Sequence, residues 1–202
     1  MASTASIDPN GVMGLTYFKR YRMEYDLCEP DEGILGSLVS AVPSGYEFVR
    51  YSDGVLREHA LAKYESFRYE LDANVFPCLG RRDGCLRLMK EITSRSSFVP
   101  ESTWLCRYRD TDIGKLIPVG TIQGLEIDGW GAIQNVGIDP LHRNRGLGAI
   151  LLSKAAEGFR SVGLTRMHLE VTVDNSSAIR FYERIGFRRA QVVYKAADVV
   201  GA

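Results

Sequence analysis

Residues 143–148 read Arg-Asn-Arg-Gly-Leu-Gly, directly behind the apolar run Val136-Gly137-Ile138 and the turn pair Asp139-Pro140. This order predicts a strand that empties into a basic, glycine-rich turn and then a helix. A helix start aims unpaired N–H groups and the positive end of its dipole at one spot. Gly146 and Gly148 let the backbone come close to whatever sits there, while Arg143 and Arg145 add charge-assisted donors. The chemistry that suits this turn is the cradling of a pyrophosphate. Two familiar phosphate loops do not fit. A P-loop needs Lys-Ser or Lys-Thr after its last glycine, where this chain has Ala149-Ile150. A dinucleotide fingerprint needs Gly or Ala where Leu151 stands, and it belongs behind the first strand of a βαβ unit.

A second stretch lies downstream. Met167 to Val173 alternates like a strand, with His168, Glu170 and Thr172 on one face and Leu169, Val171 and Val173 on the other. Asp174-Asn175-Ser176-Ser177 supplies a helix start, Ala178 to Ile185 reads as helix, and Gly186-Phe187 ends it. Asn175, Ala178 and Tyr182 fall at i, i+3 and i+7, one helix face. From spacing alone Asn175 is a plain N-cap and Tyr182 an aromatic on an amphipathic helix.

Taken in this order and at this separation, the two stretches resemble the GNAT superfamily of acyl-CoA-dependent N-acetyltransferases over about residues 130–190. The shared patterns are Arg-x-x-Gly-x-Gly and Asn-x-x-Ala-x-x-x-Tyr-x-x-x-Gly-Phe. Within the family the chain is most similar to the ribosomal-protein N-terminal acetyltransferases, because Leu169-Glu170-Val171 precedes the asparagine as it does there. The resemblance implies acetyl-CoA as acyl donor and direct transfer to a primary amine, on a protein N-terminus or a small molecule. It implies that residues 136–149 form the cradle. Val136, Gly137 and Ile138 would offer main-chain groups from a strand that parts from its neighbour. Arg143, Asn144, Arg145, Gly146, Leu147, Gly148 and Ala149 would face the pyrophosphate, with Asn175, Ala178 and Tyr182 along the cofactor arm.

It further implies Tyr182 as general acid, its phenol protonated at neutral pH (ordinary pKa about 10), and Glu170 as base. A carboxylate on a central strand is costly unless bonded or functional, and an ordinary glutamate (about 4.3) needs desolvation or a relay water to act as base. His168, about 7 Å along the strand, is an alternative base but is expected to be a satisfied structural histidine. Where some lysine acetyltransferases of the family carry a glutamate, this chain has Ala132. The acceptor side is expected at residues 72–77, preceded by Glu65 and Glu70. Arg180, Arg184 and Arg188 are expected to form a solvated stripe. A catalytically silent acyl-CoA-binding sensor or interaction module would share the cradle; Glu170 and Tyr182 speak for the enzyme. None of the four cysteines lies in either stretch, so a covalent acyl-cysteine has no support.

These residues need a scaffold, and 202 residues at 45% hydrophobic and 25% charged can build one of ordinary size. Basic and acidic residues balance at 25 each, so no long-range attraction to nucleic acid or anionic membrane is built in. No apolar run reaches membrane-spanning length and residues 1–10 lack a leader pattern, so a cytoplasmic protein is expected. Cysteine and histidine spacing predicts neither disulfides nor a metal site. Residues 1–16 read as a loose lead-in and 17–202 as one domain.

The predicted fold is an α/β sandwich with a mixed, mostly antiparallel central sheet, helices on both faces, and an extra N-terminal strand over residues 17–27. Behind that strand the order is β-α-α-β-β-β-α-β-α-β. Ser52-Asp53 is expected to cap a helix with Leu56, Ala60, Tyr64, Phe67 and Leu71 inward, and Asp83 to cap a second with Cys85, Leu88, Met89 and Ile92 inward. Asp128-Gly129 predicts a two-residue hairpin, and the helix after the cradle turns Leu147, Leu151, Ala155, Phe159 and Val162 to the core. Only sixteen residues follow Gly186, short for the two strands that usually close a GNAT sheet. The N-terminal strand is expected to compensate by covering an edge.

Overall fold

The computed structural model describes residues 15–28 and 42–198. Two strands come first, β1 (Leu15–Asp26) and β2 (Tyr46–Arg50), followed by α1 (Leu56–Phe67), the short α2 (Leu71–Val75) and α3 (Arg82–Thr93). Next come β3 (Phe98–Asp110), β4 (Lys115–Ile127), β5 (Trp130–Ile138), α4 (Leu147–Ser161), β6 (Arg166–Thr172), α5 (Ser176–Arg184) and β7 (Arg188–Asp198). The strands form one seven-stranded sheet in the order β2-β3-β4-β5-β6-β1-β7. Every neighbouring pair is antiparallel except β5 and β6. The β4–β5 turn is the primed hairpin expected, with φ of 52° at Asp128 and 76° at Gly129.

Helices pack on both faces. Leu147, Leu151, Ala155 and Phe159 of α4 and Ile179 and Tyr182 of α5 join Met23, Met167, Leu169 and Val171 of the sheet in the main core. Across the sheet, α1 packs on α3, β4 and β5. Gly137 lets α1 settle there, since a Cβ at this position would lie 2.7 Å from both Phe67 and Ser66.

Five expectations are corrected. Ser52-Asp53 does not cap α1: a 3-10 turn over Asp53–Val55 precedes the helix, Val55 takes the N-cap position, and no side chain caps there. The first strand does not cover an edge: β1 lies inside the sheet, hydrogen-bonded to β6 on one side and β7 on the other. A strand buried on both edges and holding Met23 at 0% exposure belongs to the core. The α1 stripe stops at Phe67, and Leu71, at 44% exposure, instead begins α2 after a turn at Arg68–Glu70. Val162 likewise falls past the end of α4 and is exposed. Asp83 sits inside the first turn of α3, where it pairs with Arg81 and Arg87, and it does not cap the helix.

One irregularity positions the site. The β4–β5 register runs through Gln123↔Asn135 and then shifts to Gly124↔Ile133, leaving Gln134 as an extra residue on β5. A bulge bends and twists its strand. The parallel pairing of β5 with β6 reaches only from Gly131↔Met167 to Ile133↔Leu169, so the two strands part at the bulge.

Candidate active site

Beyond Ile133, β5 follows β4 alone and β6 follows β1. The Asp139 amide donates to Val119 O on β4 at 2.8 Å. Alternation along an antiparallel strand then turns the main-chain groups of Val136 and Ile138 the other way, into the gap. A cleft of about 670 Å³ occupies it, lined by Val136, Gly137, Ile138, Arg143, Asn144, Gly146, Leu147, Gly148, Asn175, Ala178 and Tyr182. Asn144 and Gly146 adopt positive φ, 61° and 78°, which curls successive amides into a concave nest suited to an anion. The amides from Asn144 to Gly148 donate to no backbone carbonyl among the described residues. They crown the N-terminus of α4, whose dipole favours negative charge there.

Two predicted cradle residues lie off the lining. Arg145 is exposed, and Ala149 is buried with its amide bonded to Gly146 O at 3.1 Å. Arg143 lines the cleft, but its guanidinium is engaged by the protein. It meets Glu70 at 2.7 Å, Ser66 O at 3.1 Å and Ile138 O at 3.0 Å, tying the end of α1 to the cradle. Asn175 caps α5, its Oδ1 accepting from the Ala178 amide at 3.2 Å. Arg180 and Arg184 are exposed, as expected of a solvated stripe, and they also line this cleft.

A second cavity, about 290 Å³, opens on the far side of the gap. Phe67, Asp72, Val136, Glu170 and Tyr182 line both cavities and mark their junction. Tyr182 is buried, and its hydroxyl has no hydrogen-bond partner among the described residues. Burial first, then the charge of Asp72, raise its pKa against the opposing pull of Arg20, so the phenol keeps its proton. Glu170 is less enclosed than a central-strand carboxylate was expected to be: its side chain is 41% exposed and lies 3.5 Å from Arg20. Across the junction, Asp72 accepts from the Thr172 hydroxyl at 3.1 Å and faces Arg20 at 3.6 Å.

Arg20 is the residue beside the junction that sequence reasoning missed. From β1 it donates to Glu170 O at 2.7 Å, reaches both carboxylates and lies over the Phe76 ring at 5.1 Å. Its signal was only a basic residue in a predicted strand. Of the acidic residues near the expected acceptor segment, Asp72 reaches the junction, whereas Glu65 is paired with Arg68 and Arg82 and Glu70 with Arg143. His168 is not the satisfied histidine expected. It lines the smaller cavity at 9% exposure, and neither ring nitrogen has a partner among the described residues.

Residues 59–187 match the model of the acetyltransferase (GNAT) family, and the chain belongs to that family. It is 41% identical over 61 residues to an uncharacterized N-acetyltransferase of Methanocaldococcus jannaschii, covering 30% of this chain and 27% of the relative. It is 39% identical over 67 residues to the mycothiol acetyltransferase of Mycobacteroides abscessus, covering 33% and 23%. The [ribosomal protein bS18]-alanine N-acetyltransferase of Salmonella typhimurium is 36% identical over 58 residues, covering 29% and 39%. Each match thus spans well under half of the relative's length. Among solved structures, a GCN5-related N-acetyltransferase of Sphaerobacter thermophilus shares the fold at TM-score 0.64 and 24% identity, covering 91% of this chain and 52% of that one.

Proposed function

We propose that the protein is an N-acetyltransferase that moves an acetyl group from acetyl-CoA directly to a primary amine, both substrates being bound at once. The observation that carries this reading is the junction of the two cavities. There a protonated phenol, a carboxylate and a strand with outward-turned amides meet between a pyrophosphate-shaped cleft and a smaller chamber. The residues fit coenzyme A: the Asn144–Gly148 amides suit its diphosphate, and the gap beside Val136 suits an extended arm. Bound acetyl-CoA supplies the activated acyl group as a thioester.

The chain's own groups do the rest. The Val136 and Ile138 amides hold and polarise the arm, with preorganised donors of this kind contributing roughly 3–4 kcal/mol in the transition state. Glu170, being solvent-exposed, takes the amine proton through water. Tyr182 holds the proton that its Oη gives to the departing sulfur. A modest base suits an α-amino group (about 7.7–8.0) better than lysine (about 10.4), and Ala132 supplies no further carboxylate. The acceptor is therefore a protein N-terminus or a small-molecule amine. Residues 17–202 act as one cytoplasmic unit without metal, nucleic acid or membrane.

Thiol release from acetyl-CoA across a broad amine panel, beside coenzyme A titration, tests the reading. Turnover of at least one amine is expected. Binding without turnover of any amine would make the protein a silent sensor, and no binding at millimolar coenzyme A would remove both readings.

A further inference from the structure

The smaller cavity contains one feature the transfer chemistry does not use. His168 is packed edge-on against Trp130 at a centroid distance of 6.1 Å. Leu88 and Ile127 give the cavity part of its apolar wall, and Arg20, Gln134, Asn135 and Lys195 line it with polar groups. A buried polar group without a partner is costly, yet neither His168 ring nitrogen has one among the described residues. Trp130, Arg22 and Glu24 surround the ring from β5 and β1. Burial foremost, then Arg22, lower its pKa to about 4 against the opposing effect of Glu24, so at neutral pH it is uncharged. A neutral imidazole offers one donor and one acceptor.

We propose that His168 is a specificity-determining residue of the acceptor cavity, receiving a neutral hydrogen-bonding group carried some distance from the acceptor amine. This rests on the acetyl-transfer reading, because that reading puts the amine at Glu170. Glu170 and His168 are alternate residues on the same face of β6, about 7 Å apart along the strand. An acceptor whose amine faces Glu170 presents its next polar group to His168 when four or five bonded atoms separate the two. An uncharged ring with one donor and one acceptor suits a hydroxyl or carboxamide. The class selected is thus amino alcohols and amino amides, in preference to plain alkylamines of matched length.

The test compares 4-amino-1-butanol with pentylamine, in which a methyl replaces the hydroxyl, as acceptors for the wild type, His168→Phe and His168→Gln. A site built to bond a hydroxyl rejects the analogue lacking it. The wild type is expected to favour the amino alcohol in kcat/KM by roughly tenfold, the value of one neutral hydrogen bond. His168→Phe is expected to bring that ratio near one, and His168→Gln to restore much of it. A wild type without preference, or a preference unchanged in His168→Phe, overturns the proposal.

A second readout separates this claim from acetyl transfer itself. In protein saturated with coenzyme A, the ring nitrogens of the three histidines are followed by 15N NMR as 4-amino-1-butanol is added. A shift confined to His168 upholds the site even if no amine turns over, in which case only the transfer reading fails. An unmoved His168 overturns the site.

Discussion

Tyr182 keeps its phenol protonated by its position: it is buried on α5, close to the negative charge of Asp72, and has no competing hydrogen bond among the described residues. Removing only the hydroxyl, in Tyr182→Phe, leaves the packed ring in place and deletes the proton. Steady-state kinetics should show kcat falling by about 10²–10⁴-fold, the usual contribution of a positioned acid, with coenzyme A affinity by calorimetry little changed. Unchanged turnover would take Tyr182 out of the mechanism. Arg20 works differently, through the groups it holds. Its side chain is 8% exposed, and it secures the Glu170 carbonyl and two carboxylates. Arg20→Met should destabilise the fold by about 1.5–3 kcal/mol, the range for a charge-assisted hydrogen bond, and lower activity as well. Urea unfolding and kinetics on one preparation read both. Glu170 and Tyr182 were legible in the sequence because each belongs to a local pattern that a single strand or helix displays. Asp72 was legible only as part of the expected acceptor segment, and Arg20 was not legible, since only the register Arg20↔Thr172 brings it there.

Among the elements, the turn of the cradle was legible, and α1 was legible as a helix but not in its buried polar side chains. Gly146 announced its turn, and its φ of 78° is one that an L residue adopts only with strain. Gly146→Ala should cost about 1–2 kcal/mol at that turn and weaken coenzyme A binding by roughly tenfold in calorimetry; unaltered affinity would mean that the nest does not bind the diphosphate. In α1 the sequence suggested an apolar stripe, but the helix turns His59, Lys63 and Ser66 to the sheet along with Ala60 and Phe67. These polar groups are affordable because β4 and β5 offer partners: Lys63 donates to Gln123 at 2.5 Å and Asn135 at 2.6 Å, and His59 meets Thr121 at 2.7 Å. Such pairing lies between distant segments and leaves no periodicity to read. It also predicts a pH dependence. Burial lowers the Lys63 pKa from 10.5 to about 7. Between those values the unfolded chain binds more protons than the folded one, so stability rises with pH. In Lys63→Met this increment disappears. Urea unfolding at pH 7.5 and 9.5 should show the wild type gaining stability relative to the variant, and an equal gain in both would refute it.

For the molecule as a whole, the chain's early strand completes a sheet whose later strands come from its far end. The sequence showed that something must stand in for a missing closing strand, but not where. The pattern of β1, with Tyr21, Met23, Tyr25 and Leu27 facing inward, reads the same for an edge cover as for an interior strand. The choice lies in two-sided pairing, Met23 facing Leu169 on β6 and Arg189 on β7. These contacts close very large loops, which makes them slow to form and cooperative with the rest of the sheet. An interior β1 makes a specific demand. Met23→Ala removes a side chain of 0% exposure from the main core and should cost about 2–5 kcal/mol. The loss should be global. Trp104 on β3, observed in a Trp130→Phe background, reports from the far side of the sheet. Its fluorescence transition in urea should move down by the same amount as the far-UV circular dichroism. If instead Met23→Ala left the Trp104 midpoint in place and only loosened the signal of the β1–β7 region, β1 would be an appendage. The register that carries Arg20 to Glu170 would then be separable from the fold.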